Sequence, residues 1–593
     1  MTRAVPQNRI FIRVDATFRE EGSYVLYWMQ MHRRLEYNFG LQHALRISQD
    51  LGKPLLIYEG LRPDYPFASP RYHSFILDGM AEHMAFFQQR DALIAYTGFP
   101  GSSSRGASSG KAQGKSNGST RGDASRHSGE KTRSVSRANS SATYRDSTGG
   151  FSGSNYYLPF VPQTKEQSAG FLKQLGEQAC AVVSDEFPVF IVPEQNARLA
   201  GHLKERSIPF HTVDSNGIIP LQESESDPYS AYLFRKILQK KFSRSYEAFP
   251  EEAPLLEETI RGQLLLEDLK VGELQKTVIQ SSLELLEKWR ALNENNPGNP
   301  AAVGKSHGEV DRKIVVKKTE LLKDFPLDFN VPAISVNGSR AAALNQMKRF
   351  VESMSIYESD RNNPDSNATS GLSPYLHFGK ISAHELVSRI FDTYGLQDSV
   401  KALIYNNGSK GFFPGPPEVD SFLDEVLTWR ETGYHFCFHR KDYDKFDSLP
   451  DWARKTLLEH SSDERPYLYS LEQLEAAETH DEIWNAAQRE LKQTGRIHNY
   501  LRMLWGKKIL EWSKDPREGL EIALHLNNKY SIDGRNPNSY SGVFWIFGRF
   551  DRPWQERPIF GKIRYMSSEQ TKKKVQLKNY LQMFGPQQQG TLL

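Results

Sequence analysis

At 593 residues, with 38% hydrophobic and 11% aromatic side chains, the chain is long enough for two or more domains and too apolar to be a disordered protein. Two cysteines, Cys180 and Cys437, give neither a disulfide framework nor zinc-ligand spacing, so a reducing, intracellular setting is expected. The net charge is only +3, no stretch approaches about 18 consecutive apolar residues, and the N-terminus lacks the apolar core of a signal peptide. A globally basic surface, a membrane span and a secretory leader are therefore not expected.

Taken in chain order, four apolar runs in the first half read as buried parallel strands: Tyr24–Trp28, Pro54–Tyr58, Ala92–Tyr96 and Ala179–Val183, with Phe210–Val213 as a fifth. Helical patterns lie between several of them, over Asn38–Leu51 and His73–Gln89. This alternation predicts an α/β domain with an open parallel sheet over residues 1–215. No GxGxxG follows the first strand, so a dinucleotide site of that type is not expected. Residues 101–156 interrupt the domain with 16 Ser, 10 Gly and almost no large apolar side chains. Such a segment cannot bury enough surface to fold and reads as a disordered insertion. It carries nine Lys or Arg against three Asp or Glu, so the rest of the chain is slightly acidic and any nucleic-acid surface must be a local patch. Residues 216–337 read as an interdomain connection with a helical pattern over roughly Leu255–Leu292 and a polar break at Asn293–His307. Amphipathic runs separated by short turns then predict an all-α domain over 338–585, followed by a tail, 586–593.

The chemistry-bearing residues crowd into this second region. Trp505 and Trp512 are seven apart, two helical turns, and so lie on nearly the same face, with Trp484 upstream. Asn527, Asp533 and Gly534 follow. A row of indoles leading to a polar, Gly-containing pocket suits electron transfer to a buried redox cofactor, although three tryptophans alone are equally ordinary core residues. Ser370 and Ser373 stand at a helix start, where unpaired N–H groups and the helix dipole favour phosphate; a merely capped helix start needs no ligand. Glu425 and Trp429 are four apart and share a helix face. Residues 549–578 carry nine Lys or Arg against three Asp or Glu, interleaved with aromatic residues and Pro. This patch suits phosphate contacts, a solvated basic face being the plainer alternative.

The segments SGLSPYLHFG, FLDEVLTWRE, WNAAQRELKQTGRIHNYLRMLWGKKILEW, LNNKYSIDGRNPNSYSG and ERPIFGKIRYM, in that order, resemble the photolyase/cryptochrome family, and most closely its class II cyclobutane pyrimidine dimer photolyases. YWMQMHRR and LQHALRIS resemble that class's first strand and helix. The resemblance implies an antenna-type α/β domain and a helical domain holding FAD, which under light passes an electron to a pyrimidine dimer flipped out of DNA. It implies FAD contacts from Tyr357, Ser370, Leu372 and Ser373, an Asn527 beside flavin N5, and an ion pair between Arg502 and Asp533 near the flavin ring. Glu425 is implied to hydrogen-bond the dimer's carbonyl edge as a protonated or proton-sharing acid, with Trp429 and Trp545 packed against the dimer and Met503 at its site. Arg361 and Arg552 are expected to reach the dimer or fill the gap that it leaves. Trp484, Trp505 and Trp512 match the electron-transfer tryptophans, with Trp505 nearest the flavin.

The implied partner is DNA carrying UV-induced pyrimidine dimers, bound by a monomer, in the cytoplasm of a prokaryote or the nucleus of a eukaryote. A second antenna chromophore of folate or deazaflavin type is left open, since no residue set names its site. The chain departs from class II in having Phe550-Asp551 where His-Asp is usual, and Leu504 where a tyrosine often precedes the proximal tryptophan. Two rival expectations are a cryptochrome-like light receptor and repair of (6-4) photoproducts. Retention of Glu425, Trp429, Met503 and Trp545 speaks against the first, and the missing histidine at 550 against the second.

Overall fold

Six strands form one sheet in the order β1-β6-β5-β2-β3-β4, where β1 is Ile10–Val14, β2 Tyr24–Met29, β3 Leu55–Gly60, β4 Asn155–Phe160, β5 Ala179–Asp185 and β6 Phe210–Val213. The computed structural model describes residues 2–90, 155–255, 266–294, 309–366, 368–403, 405–406 and 408–586. Every residue of β2 and β5 is buried, which is why both read as unbroken apolar runs: helices cover both faces of a parallel sheet. Helix α1 (Phe39–Leu51) starts where the Asn38 side chain accepts from the Gly40 and Leu41 amides, and stops at Gly52, whose φ of 61° is left-handed. Helix α2 (Pro70–Gln88) begins with proline in its first turn.

Two expectations are corrected. The sheet is not wholly parallel, because β1 runs antiparallel to β6 at one edge; β1 is short, half exposed and carries Arg13, so it gave no buried-strand signal. The insertion assigned to 101–156 ends earlier, since Asn155 and Tyr156 already pair with Leu55 and Leu56 as the start of β4. Among the described residues β4 is the opposite edge, a position that tolerates its Pro159. The strand read at Ala92–Tyr96, the rest of the insertion, part of the Leu255–Leu292 pattern, most of the polar break and nearly all of the tail lie outside the described residues.

The strand order reverses between β2 and β5, the place where open α/β sheets usually take a ligand. Here Asp185, the last residue of β5, fills it. Its Oδ2 accepts from the amides of Gln30 (2.9 Å), Met31 (2.7 Å) and His32 (3.0 Å), and its Oδ1 from the Tyr27 hydroxyl (2.7 Å). Three converging amides that could cradle a phosphate thus hold the chain's own carboxylate, in keeping with the missing glycine motif.

The second domain is helical, its only bridge among the described residues being Arg557 with Gly561. Residues 216–337 act as more than a spacer. The helix Ala231–Glu247 packs against the second domain through Arg235, which holds Asp424. The helix Glu273–Glu294 packs on α2, where Trp289 Nε1 donates to Asp78. Asp78 also accepts from the Gly338 amide (2.9 Å), and a Cβ on Gly338 would stand 1.9 Å from the Phe75 carbonyl oxygen, so only glycine fits this crossing. Further along the seam, the buried Arg71 guanidinium reaches the carbonyls of Leu491 (3.3 Å), Lys492 (2.5 Å) and Tyr530 (2.6 Å). These close two helices, Glu482–Thr494 and Pro516–Tyr530, whose C-terminal dipoles favour a cation.

Candidate active site

The indoles come from two neighbouring helices, and their spatial order differs from their chain order. Trp505 and Trp512 lie on the helix Asn499–Trp512, and Trp484 on Glu482–Thr494. All three are at most 1% exposed. Trp484 Nε1 donates to the Trp505 carbonyl (2.9 Å), and its ring lies 5.7 Å from that of Trp512 at 67°. Trp484 therefore stands between the other two. Trp505 Nε1 donates to Gln488 (2.9 Å), so the buried indole N–H is satisfied. Beyond Trp512 the aromatic packing continues: Tyr469 lies 5.3 Å and His480 5.2 Å from it, and Tyr467 stacks on His480 at 3.8 Å. Tyr467 is 48% exposed, so this train of rings runs from the interior to the surface.

Polar side chains gather around Asp533. Burial would raise its carboxyl, but the Arg502 charge and hydrogen bonds from Ser531 and Ser373 outweigh burial and hold it below the usual carboxylate range. Arg502 and Asp533 act on each other across a gap: no ion pair or hydrogen bond joins them among the described residues. The Arg502 Nε is buried with no hydrogen-bond partner, as is Arg535 Nη1. Unpaired buried donors of this kind fit a ligand rich in acceptors. Ser373 is exposed at the start of the helix Ser373–His377, and Leu372 is buried behind it. The turn before it needs Gly371, whose φ is 65°; the Ser370 hydroxyl accepts from the Leu372 amide. Asn527 is buried at the end of Pro516–Tyr530, on the segment that leads to Asp533.

Glu425, Trp429, Tyr357 and Arg361 gather at a second point. Residues Asp424–Trp429 form π-helical turns between the helices Pro417–Leu423 and Arg430–His439. Such widened turns are uncommon and recur at functional sites. Glu425 Oε1 accepts from Arg361 Nη1 (2.6 Å), with side chains 34% and 29% exposed. Burial raises the Glu425 carboxyl above its ordinary value despite the opposing charge of Arg361. The Arg361 guanidinium lies 5.5 Å from the Tyr357 ring centre, and Trp429 is exposed beside the pair.

Trp545 is half-buried between two cations, Lys507 (5.5 Å from its ring centre) and Arg564 (5.2 Å). Lys507 donates to the Ile546 carbonyl, and burial pushes it down to about 7 although Asp551 opposes this. Arg552 is exposed, 5.3 Å from the ring centre of Trp554 and hence part of the basic surface. Met503 is half-buried one residue after Arg502, and no contact given by the structure ties Met503 or Arg552 to Glu425. Phe550 sits at a φ of 64° with its ring 5.6 Å from Phe436. It fills an apolar slot.

Sequence reasoning missed the part that the α/β domain plays. The Arg535 guanidinium stacks 3.5 Å over the Tyr72 ring, and Tyr72 Oη lies within 2.9 Å of the Asn528 carbonyl and 2.8 Å of the Ser531 carbonyl. Tyr72 thereby braces the Asn527–Arg535 segment from behind and supports Arg535 at its left-handed φ of 61°. A pattern of helical spacing marks Tyr72 only as a core residue. Lys507 was equally hidden, as one of two adjacent lysines in a helix.

No family model matches the chain. Among sequence relatives, the deoxyribodipyrimidine photo-lyase of Methanothermobacter thermautotrophicus is 30% identical over 562 residues, covering 94% of each chain. That of Oryza sativa subsp. japonica is 33% identical over 72% of this chain and 73% of its own. That of Arabidopsis thaliana is 45% identical over 38% of this chain and 42% of its own. Among solved structures, a bacterial class III photolyase from Agrobacterium tumefaciens matches with a TM-score of 0.56 at 14% identity, covering 95% of this chain and 86% of that one. The likeness in structure extends over both domains.

Proposed function

The chain belongs to the deoxyribodipyrimidine photo-lyase family, and from that premise we propose that it repairs cyclobutane pyrimidine dimers in DNA by light-driven electron transfer, with the residues above in the following roles. The observation that carries the site assignment is the Glu425–Arg361 pair: a carboxyl raised by burial, bound to a guanidinium, on a π-turn beside an exposed indole.

FAD, when bound, supplies an electron under illumination that the dimer accepts and then returns as it splits. The unpaired donors of Arg502 and Arg535, the anionic Asp533 and the open Ser373 helix start fit such a group, whose ring carries hydrogen-bond acceptors and whose tail carries phosphates. Tyr357, Ser370, Leu372 and Asn527 complete the proposed contacts. Tyr72 and Arg71 keep the Asn527–Asp533 segment fixed, so that the pocket does not have to reorganise during the reaction.

At the dimer site, Trp429 and Trp545 offer aromatic faces. Stacking contributes about 1–3 kcal/mol per base and offsets the few kcal/mol that flipping costs. Glu425, protonated or sharing a proton, hydrogen-bonds a dimer carbonyl as negative charge develops there, and Arg361 adds a positive charge. Met503 lines the same site. Arg552 and the basic stretch 549–578 take the phosphates beside it. Trp512, Trp484 and Trp505, in that order, relay electrons inward from an external reductant.

The test is a light-dependent repair assay with the purified protein in reduced form, on DNA carrying one cyclobutane dimer or one (6-4) photoproduct. Restoration of the first only is the expected result; dark-equal yields on both would overturn the proposal.

A further inference from the structure

The helix Ala231–Glu247 buries Phe234, Leu238 and Phe242 and turns an unusual face outward. Tyr232, Lys236 and Lys240 follow at four-residue spacing and so form one stripe along the helix. Tyr232 is 50% exposed and its neighbour Leu233 43%. The lysines lie on aromatic rings: Lys236 Nζ is 4.4 Å from the centre of Tyr232, and Lys240 Nζ 5.6 Å from that of Tyr405, which is 40% exposed. The helix carries five Lys or Arg and one Glu. Asp424 neutralises Arg235 and Glu223 neutralises Lys241, while Lys236 and Lys240 make no ion pair among the described residues.

The location gives the stripe its meaning. Arg235 holds both oxygens of Asp424 at 2.9 Å, and Asp424 directly precedes Glu425 on the π-turn. Gln239 donates to Asn406 (3.1 Å) and Gly408 (3.0 Å), fixing the loop that bears Tyr405. The helix that carries the stripe is therefore pinned, through Arg235, to the turn that bears Glu425. We propose that it is a second DNA-binding surface, on which Lys236 and Lys240 take backbone phosphates flanking the lesion and Tyr232 packs on a sugar or an unstacked base. This rests on the reading of DNA as the substrate. The two lysines are about 6 Å apart along the helix axis, a separation that neighbouring phosphates of one strand can meet. Lysine is depleted from protein–protein interfaces, whereas cations interleaved with aromatics suit nucleic acid. The Arg235–Asp424 bond, which ties this helix to the turn bearing Glu425, supplies the rest of the argument.

The experiment measures affinity in the dark for a duplex bearing one cyclobutane dimer, between about 50 and 200 mM salt. Each phosphate neutralised contributes about 0.9 to the log–log slope, so K236Q/K240Q should flatten it by about 1.8. Y232A should weaken binding roughly fivefold or more while keeping the slope. K165Q/K173Q, on exposed residues of the α/β domain, is the control and should leave the slope intact. A wild-type slope in K236Q/K240Q would overturn the proposal and leave the stripe to a partner other than nucleic acid. Failure of the wild-type protein to repair the lesion would instead strike at the substrate reading itself, so the two failures are distinguishable.

Discussion

Glu425→Ala removes the acid that the π-turn presents to the dimer. Its hydrogen bond forms to a group that becomes anionic during the reaction, and bonds to charged groups contribute about 1.5–3 kcal/mol. At 1.36 kcal/mol per factor of ten, losing that bond from the transition state slows dimer splitting by about ten- to a hundredfold. The lost partner, Arg361, is 29% exposed, so its freed charge can turn to water and adds little to the penalty. FAD content should not change, because the Glu425 partner is Arg361 and not the Asp533 pocket. The sign of the pH effect follows from the raised carboxyl: the proton is present below the folded pKa and is lost as pH rises through it. The wild-type splitting rate should therefore fall on the alkaline side, and Glu425→Gln, which keeps a donor at every pH, should lose that fall. The assay is single-flash transient absorption on prereduced protein saturated with dimer-bearing DNA. A splitting rate in Glu425→Ala within twofold of wild type would refute the role.

Trp484→Phe and Trp505→Phe should each abolish photoreduction of oxidised flavin while leaving repair by chemically prereduced protein intact; loss of repair under prereduced conditions would give these indoles another task. Arg71→Ala leaves the carbonyls at two helix ends without their buried cation and should cost about 3–5 kcal/mol in urea unfolding, with a shift under about 1 kcal/mol counting against a stabilising role for Arg71 at this seam. Glu431 is buried, accepts from the amides of Ile218 and Ile219, and is pushed by burial up to about 7. Between its ordinary value of 4.5 and 7 the folded state keeps a proton that the unfolded state has lost, so stability should fall as pH rises across that window. The fall amounts to roughly 3 kcal/mol, and Glu431→Gln should flatten the profile of unfolding midpoints against pH.

The buried runs of β2, β3, β5 and β6 and the helical pattern of α1 were legible because they are local: continuous apolar strands and helical periodicity are written in neighbouring residues. The candidate residues of the site were legible as motifs for the same reason, Glu425 with Trp429 and Asn527 with Asp533 each falling within a few positions. What sequence could not carry was every relation between distant segments. The edge strand β1 pairs across some 200 residues with β6, and its own side chains gave too little apolar signal to declare it. The π-turn at 424–429 depends on how the flanking helices are held, not on the composition of six residues.

The tryptophans divide the two contributions most clearly. Spacing alone put Trp505 and Trp512 on one helix face, because 3.6 residues per turn is a property of the backbone. Only the packing of a second helix brought Trp484 against both the Trp505 carbonyl and the Trp512 ring. Likewise, sequence named Arg502 and Asp533, but tertiary structure determined that a gap separates them and that Tyr72 and Arg71 of the other domain hold the segment in place. Covalent order fixes local periodicity and chemistry; distances between helices come from side chains meeting across the core, and no local pattern encodes those.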